Sequence, residues 1–428
     1  MKTLCVVAGI CLMVGVCGAL CADTKDVHTS PTLRSSIPYV VTHSDTVQDM
    51  LWMAKVGKGD VVYDLGSGDG RIVITAVRNF DARQAVGIEI APDLIRQSRK
   101  NAQDEGVADR AEFIQGDLFT SDFGQATVVT LFLGHDPNIK LRPQMFDTLK
   151  PGTRIVSHQY GMGEWQANKT LTVQRTYQGM YGTMANPYST NPRVPDYTGN
   201  ESDPFTNDKI LMWVTPAPVA GIWRGKIAVG GGARECRLML HQRLSTVTGT
   251  FELSEQPNST MGVKVELWGT HLRFFCERKD LQIRFDGYIH GDSLKGAMSV
   301  MENGRSQEGG WEARREKVDY SGAWEWPCAT GPRSVTLRIE RNNDQFLVTY
   351  SDRDKTIPVT DFYDHGGGFY FTLMIGRDKD GTVITDDPGW LIGGGILSNG
   401  TLQGSIEFYP YIDKPVVRAA WHPQRKID

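Results

Sequence analysis

Cysteine is nearly absent from this 428-residue chain once its first 22 residues are set aside: only Cys236, Cys276 and Cys328 remain. They form no Cys-x-x-Cys pair, which excludes a zinc ribbon, and they are too few for a disulfide framework. Three half-buried thiols are expected, with a Cys236–Cys276 bridge the one pairing left open. Excess charge is lacking too. Lys and Arg number 46 against 50 Asp and Glu, a net charge of −4, so no basic field would draw nucleic acid or an anionic bilayer. Apart from Leu4–Ala22, no stretch stays apolar long enough to cross a membrane. The histidines of the second half (His241, His271, His290, His365, His422) lack the spacing of metal ligands.

What is present begins with an address. Leu4–Ala22 carries no charge, follows Met1-Lys2 and ends in the small-x-small pattern Ala19-Leu20-Cys21. A secretory signal over residues 1–22, cut near Cys21 or Ala22, is expected. A retained anchor is the alternative. In either case the body is expected to be exported, in the periplasm or cell envelope, touching the membrane only through this segment if it is uncleaved.

From residue 36 to 216 strand-like and helix-like runs alternate, which implies a parallel sheet with helices on both faces. Val61–Leu65, Ala85–Ile90, Ala111–Gln115, Thr127–Leu133 and Arg154–Ser157 read as strands. Arg71–Asn79, Pro92–Glu105 and Pro137–Leu149 read as helices. Leu171–Thr176 and Lys209–Thr215 then follow with no helix between them, so they should pair antiparallel. Between them residues 177–208 are rich in Tyr, Asn and Pro, and so long a loop in a compact domain is expected to serve as a lid over the substrate opening.

After Pro216-Ala217-Pro218 helical patterns stop and short strands take over. The tail repeats itself. Gly221-Ile222-Trp223 returns as Gly322-Ala323-Trp324, Gly287-x-Ile289-x4-Leu294-x-Gly296 as Gly395-x-Leu397-x4-Leu402-x-Gly404, and Trp311 with Arg315 as Trp421 with Arg425. Two all-β repeats, 219–317 and 318–428, each sized for one small barrel or sandwich, are expected.

The most informative stretch is Asp64-Leu65-Gly66-Ser67-Gly68-Asp69-Gly70, where a buried strand meets a glycine bend and a helix begins. Such a bend lets a ligand approach the backbone and the free N–H groups of the helix start. Glu89, at the end of the second strand, stands where a carboxylate takes ribose hydroxyls, and Asp117 follows the third strand.

These stretches resemble the seven-strand, class I, S-adenosylmethionine-dependent methyltransferases. Asp64–Gly70 matches their first motif, Gly87-Ile88-Glu89 the second and Gly116-Asp117-Leu118 the third. With Ile37-Pro38-Tyr39-Val40 and Met50-Leu51 upstream, the chain looks closest to the mitochondrial-type protein-lysine methyltransferases and their bacterial relatives. The resemblance covers about residues 36–216 and implies a Rossmann-like domain whose last strand is antiparallel. It implies S-adenosyl-L-methionine as cofactor. The backbone of Gly66, Ser67, Gly68, Asp69 and Gly70 would border its methionine part, and Asp64 would hold the loop or meet the amino group. Glu89 would bind the ribose, Ile90 the adenine face, Asp117 the adenine amino group and Leu118 the ring, with Tyr39 closing over the cofactor.

The methyl acceptor would be a protein side chain or a small molecule. The loop after strand four, Leu133-Gly134-His135-Asp136-Pro137-Asn138, lacks the Asn/Asp-Pro-Pro-Tyr/Phe tetrad, which disfavours a nucleobase amino group. His135 and Asp136, with Asn138, are the candidate catalytic set, a base and its orienting partner. The competing reading makes His135 a polar loop residue and Asp136 a helix N-cap. His158 and Tyr160 also point toward the cofactor edge, while Trp165 reads as core. An alternative from another class is a catalytically degenerate fold presenting its β domains to an envelope partner.

Overall fold

The structure, a computed structural model, describes Ile37, residues 39–174 and, apart from short internal stretches, residues 207–425. The expected signal, residues 1–22, and residues 177–206 of the expected lid lie outside the described residues. Residues 1–40 form one compact unit and 41–428 another. Among the described residues no helix is long and apolar enough to cross a membrane.

The second unit opens with α1 (Ser44–Met53), β1 (Val61–Leu65), α2 (Arg71–Phe80), β2 (Gln84–Glu89) and α3 (Pro92–Asp104). Next come β3 (Ala111–Gln115), β4 (Val128–Leu131), α4 (His135–Thr148), β5 (Arg154–His158), β6 (Lys169–Gln174) and β7 (Asn207–Val214). The sheet order is β3-β2-β1-β4-β5-β7-β6. The first five strands run parallel, and β7 lies antiparallel to both β5 and β6. This is the Rossmann-like methyltransferase sheet with its reversed hairpin. The β-branched, two-sidedly buried runs of β1 and β4 make them central. α2 lays Ile72, Val73, Ala76 and Val77 on the sheet, in one core with Met50 and Leu51 of α1. The strand order reverses between β1 and β4, so the crevice at their carboxyl ends is where a ligand binds in such a sheet.

One boundary differs from expectation and moves a candidate residue. The fourth helix begins at His135, two residues before Pro137, and Gly134 is its N-cap with no side-chain bond. Asp136 is therefore in the first turn and is not the cap. Proline is tolerated there because the first N–H groups of a helix have no intrahelical partner.

The remainder is all β. β8 (Gly221–Val229), β9 (Gly232–Arg243), β10 (Thr246–Leu253), β11 (Met261–Trp268), β12 (His271–Arg278), β13 (Leu281–His290), β14 (Ser293–Glu302) and β15 (Arg305–Arg315) close an eight-stranded antiparallel barrel. Alternation of buried and exposed residues, plain in Leu281–His290, fills its interior with Trp223, Phe251, Phe274, Phe285 and Trp311. Cys236 and Cys276 are free, buried thiols, and burial pushes both up to about 12, so they are inert packing groups rather than a bridge. Cys328 lies outside the described residues.

Two five-stranded sheets follow. The first holds β16 (Gly322–Pro327), β17 (Ser334–Asn342), β18 (Gln345–Asp352), β19 (Lys355–Pro358) and β25 (Gln424–Arg425). The second holds β20 (Asp361–Asp364), β21 (Gly368–Ile375), β22 (Gly389–Ser398), β23 (Thr401–Pro410) and β24 (Val417–Trp421). They share one core around Trp324, Leu337 and Phe371.

The repeated residues occupy the same register in both halves. Gly287 lies opposite Gly296, which faces Trp311; Gly395 lies opposite Gly404, which faces Trp421. Trp223 pairs with Arg315, and Trp324 with Arg425. The repeat is thus a cross-strand register: glycine opposite glycine, with a tryptophan opposite the second glycine on the next strand.

The join between sheet and barrel is buried, Thr215, Ala217 and Val219 included. The Thr215 carbonyl accepts from the Gly152 N–H at 2.8 Å, and the Ala217 N–H donates to the Gly269 carbonyl of the β11–β12 turn at 2.8 Å. Arg243 of the barrel pairs with Glu164 of the sheet domain. The segment is a packed joint and not a loose tether.

Candidate active site

β1 delivers its chain into three residues of positive φ: Gly66 at +82°, Gly68 at +54° and Gly70 at +84°. Gly70 caps α2. The Gly66 and Ser67 N–H groups both donate to the Ile88 carbonyl, at 2.8 and 3.1 Å, which ties the bend to the end of β2. A Cβ on Gly70 would lie 2.5 Å from Cζ of Phe113 and 2.9 Å from Cβ of Ser98. We expect Gly70→Ala to cost about 2–4 kcal/mol, read as a lower urea midpoint, from left-handed strain plus overpacking. Gly106→Ala is the control: its φ is +67° but nothing lies within 4 Å of its Cβ, so about 1 kcal/mol is expected.

Glu89 is turned toward this bend. One carboxylate oxygen accepts the Gly68 N–H at 3.1 Å and the other the Ala91 N–H at 2.9 Å, and the residue is only 9% exposed. Each oxygen keeps a further lone pair for a hydroxyl donor. Beside it Ile90 is 42% exposed, an apolar face left open. Asp117 is half-buried after β3, one oxygen held by the Phe119 N–H at 3.0 Å, with Leu118 half-buried next to it. Tyr39, 38% exposed, belongs to the separate unit that ends at Val40.

Two acids of the first motif do different work. Asp64 is buried and accepts the Thr130 hydroxyl at 2.7 Å, joining β1 to β4. Burial raises its carboxyl to about 7; Thr130 pulls it back, and the charges of Glu89 and Asp69 push it further up. Asp69 is taken up by Arg71, whose Nε and terminal nitrogen reach it at 3.0 and 2.6 Å. Arg71 also donates to the Thr42 carbonyl at 2.9 Å. Asn101 of α3 donates to the Asp69 carbonyl at 2.9 Å. Asp69 therefore stiffens the bend. Arg71 directly follows the bend and closes the motif Asp-Leu-Gly-Ser-Gly-Asp-Gly-Arg, but nothing in the sequence marks Asn101 or Thr130 as parts of the site; only the fold brings those two to the loop. The hydroxyl of Ser67 is buried without a hydrogen-bond partner.

The candidate catalytic residues separate. His135 and Asp136 are exposed on the first turn of α4, with Nδ1 of His135 3.2 Å from an Asp136 oxygen. Asn138 is wholly buried. Its amide nitrogen donates to the Ser157 hydroxyl at 3.1 Å and the Tyr160 carbonyl at 3.2 Å, so it braces the exit of β5 and does not face the other two. Trp165 is core, against Phe146 and Trp213.

Residues 64–169 match the family model of the ANTKMT methyltransferase domain. A protein-lysine N-methyltransferase of Saccharolobus islandicus is 44% identical over 138 residues, 32% of this chain and 86% of that protein. The chain belongs to the class I S-adenosylmethionine-dependent protein methyltransferases. The adenine nucleotide translocase lysine N-methyltransferase of Mus musculus is 31% identical over 134 residues, 31% of this chain and 58% of its own length. A solved RNA methyltransferase of Salinibacter ruber, in complex with S-adenosyl-L-homocysteine, is 43% identical over 41% of this chain and 93% of that one, with a TM-score of 0.32. S-Adenosylmethionine is the cofactor of that family, and the residues here suit it: a glycine bend that a ligand can approach, a carboxylate at the bend, an exposed apolar side chain and a second carboxylate beyond.

Proposed function

We propose that this methyltransferase modifies the lysine side chain of a protein acceptor. The observation that carries the reading is the Glu89 carboxylate joined to the glycine bend, in a chain whose relatives are named for lysine methylation. Glu89 would hold the ribose and Gly66–Gly70 the methionine part, with Ile90 and Leu118 on the two faces of the adenine and Asp117 at its amino group. Asp64 would supply negative charge behind the bend. When bound, the cofactor supplies an electrophilic methyl group for in-line displacement. The protein's work is alignment and exclusion of water.

On the segment 1–22 we place the mature protein in the envelope or beyond it, its β repeats offered to a partner there. Fractionation of cells expressing the full chain, with N-terminal sequencing of the product, tests that placement; cytosolic protein with its first residues intact overturns it. The lysine reading is tested with the purified chain and methyl-labelled cofactor on a mixed protein extract. Label in acid-stable methyl-lysine is the expected result. Label in nucleic acid or another side chain, or none with S-adenosylhomocysteine bound, overturns it.

A further inference from the structure

At the carboxyl ends of β4 and β5, next to the crevice where the cofactor loop lies, three rings run together. Phe132 and His158 have centroids 4.2 Å apart, and Phe132 and Tyr160 stack at 6.1 Å with planes 26° apart. Phe132 and Tyr160 are half-buried. Their placement is built in. Asn138 holds the Tyr160 carbonyl, and the Tyr160 N–H donates to the His158 carbonyl at 2.8 Å. Behind the rings is a carboxylate. Asp208, at the start of β7 and 3% exposed, stands 3.5 Å from Nε2 of His158 and accepts the hydroxyl of Thr46. Nδ1 of His158 is 3.4 Å from the Thr42 hydroxyl. The Thr42 carbonyl leads through Arg71 to Asp69 of the glycine bend.

Ring faces carry negative charge density and attract cations. A buried carboxylate behind them has the same sign, and its field is weakly screened. We infer that Phe132 and Tyr160, backed by the buried ring of His158, form one wall of the acceptor site and receive an alkylammonium group, the acceptor amine or its methylated product, with Asp208 as the anion behind it. This deepens the lysine reading and rests on it for the identity of the amine. The wall selects for positive charge at the end of an aliphatic chain. An uncharged aliphatic chain that lacks the ammonium group gains only weak contact with the rings and nothing from Asp208.

The test uses the full chain with S-adenosylhomocysteine affinity as the internal control. Methyl incorporation into poly-L-lysine is measured together with binding of the amides of acetyl-trimethyl-lysine and acetyl-norleucine. Tyr160→Leu and Phe132→Leu should each raise KM for poly-L-lysine about tenfold. Both should leave S-adenosylhomocysteine affinity unchanged. Tyr160→Phe, which keeps the ring, should behave as the parent. The trimethyl-lysine amide should bind and the norleucine amide should not compete. Parent-like KM in both Leu variants, or equal binding of norleucine, overturns the wall and leaves the lysine reading standing. Tyr160-dependent binding of trimethyl-lysine without any methyl incorporation supports the wall and overturns lysine transfer. Neither binding nor incorporation, with S-adenosylhomocysteine bound, overturns both.

Discussion

Glu89→Ala should lower S-adenosylhomocysteine affinity by about two to three orders of magnitude, measured by calorimetry with the purified chain. Two ribose hydroxyls would lose a charged acceptor, and hydrogen bonds to charged groups are worth about 1.5–3 kcal/mol each. The same carboxylate holds the Gly68 N–H at 3.1 Å and the Ala91 N–H at 2.9 Å, so its removal also loosens the bend the ligand must meet. Glu89→Gln separates the two contributions. It keeps one acceptor oxygen for the backbone but not the charge, and its loss should be intermediate. The thermal midpoint of the ligand-free Glu89→Ala protein should fall as well, because the Gly68 and Ala91 N–H groups lose their acceptor. Affinity within about threefold of the parent in Glu89→Ala, less than one hydrogen bond to a charged group is worth, would remove Glu89 from the cofactor site.

Asp64→Asn should make stability less sensitive to pH. The carboxyl of Asp64 is raised to about 7 in the folded protein, chiefly by burial, against about 4 in an unfolded chain. The folded state therefore holds a proton that the unfolded chain releases between those values. The stabilisation from the neutral form is complete below pH 4 and is lost as pH rises through 7. Asparagine keeps an acceptor for Thr130 and never ionises. The advantage of the variant over the parent should grow across pH 4–7 and level off above it, at no more than about 4 kcal/mol. Urea unfolding without ligand at pH 5 and pH 8 measures it, and a pH-independent difference refutes it. A cationic cofactor favours the ionised carboxylate, so binding near pH 6 should release a proton, seen as a heat that depends on the buffer. The variant should lose that release.

How far these features are legible in the chain depends on their locality. The glycine bend, the carboxylate ending β2 and the acid after β3 are each set by a few consecutive residues, so spacing is enough to find them. The reversed β6–β7 hairpin is legible because no helix pattern separates its strands. The β repeat is legible as spaced Gly and Trp, although only the register shows that Gly296 faces Trp311 and Gly404 faces Trp421. The start of α4 is hidden because Pro137 looks like a first helical residue, and the true start takes Asp136 out of the cap. His135 and Asn138 are close in sequence, yet His135 is exposed at the helix start and Asn138 is buried against the exit of β5.

The order of residues along this chain was sufficient for a nucleotide-type bend, its two carboxylates and the change from alternating to all-β architecture, because hydrophobic period and turn chemistry act over short distances. Tertiary structure alone decided what surrounds them. Thr130 meets Asp64 across two strands, and Asp208 comes to His158 from a distant part of the chain. Such meetings are made by sheet order, and the residues that meet carry no mark of it in their own sequence neighbourhood.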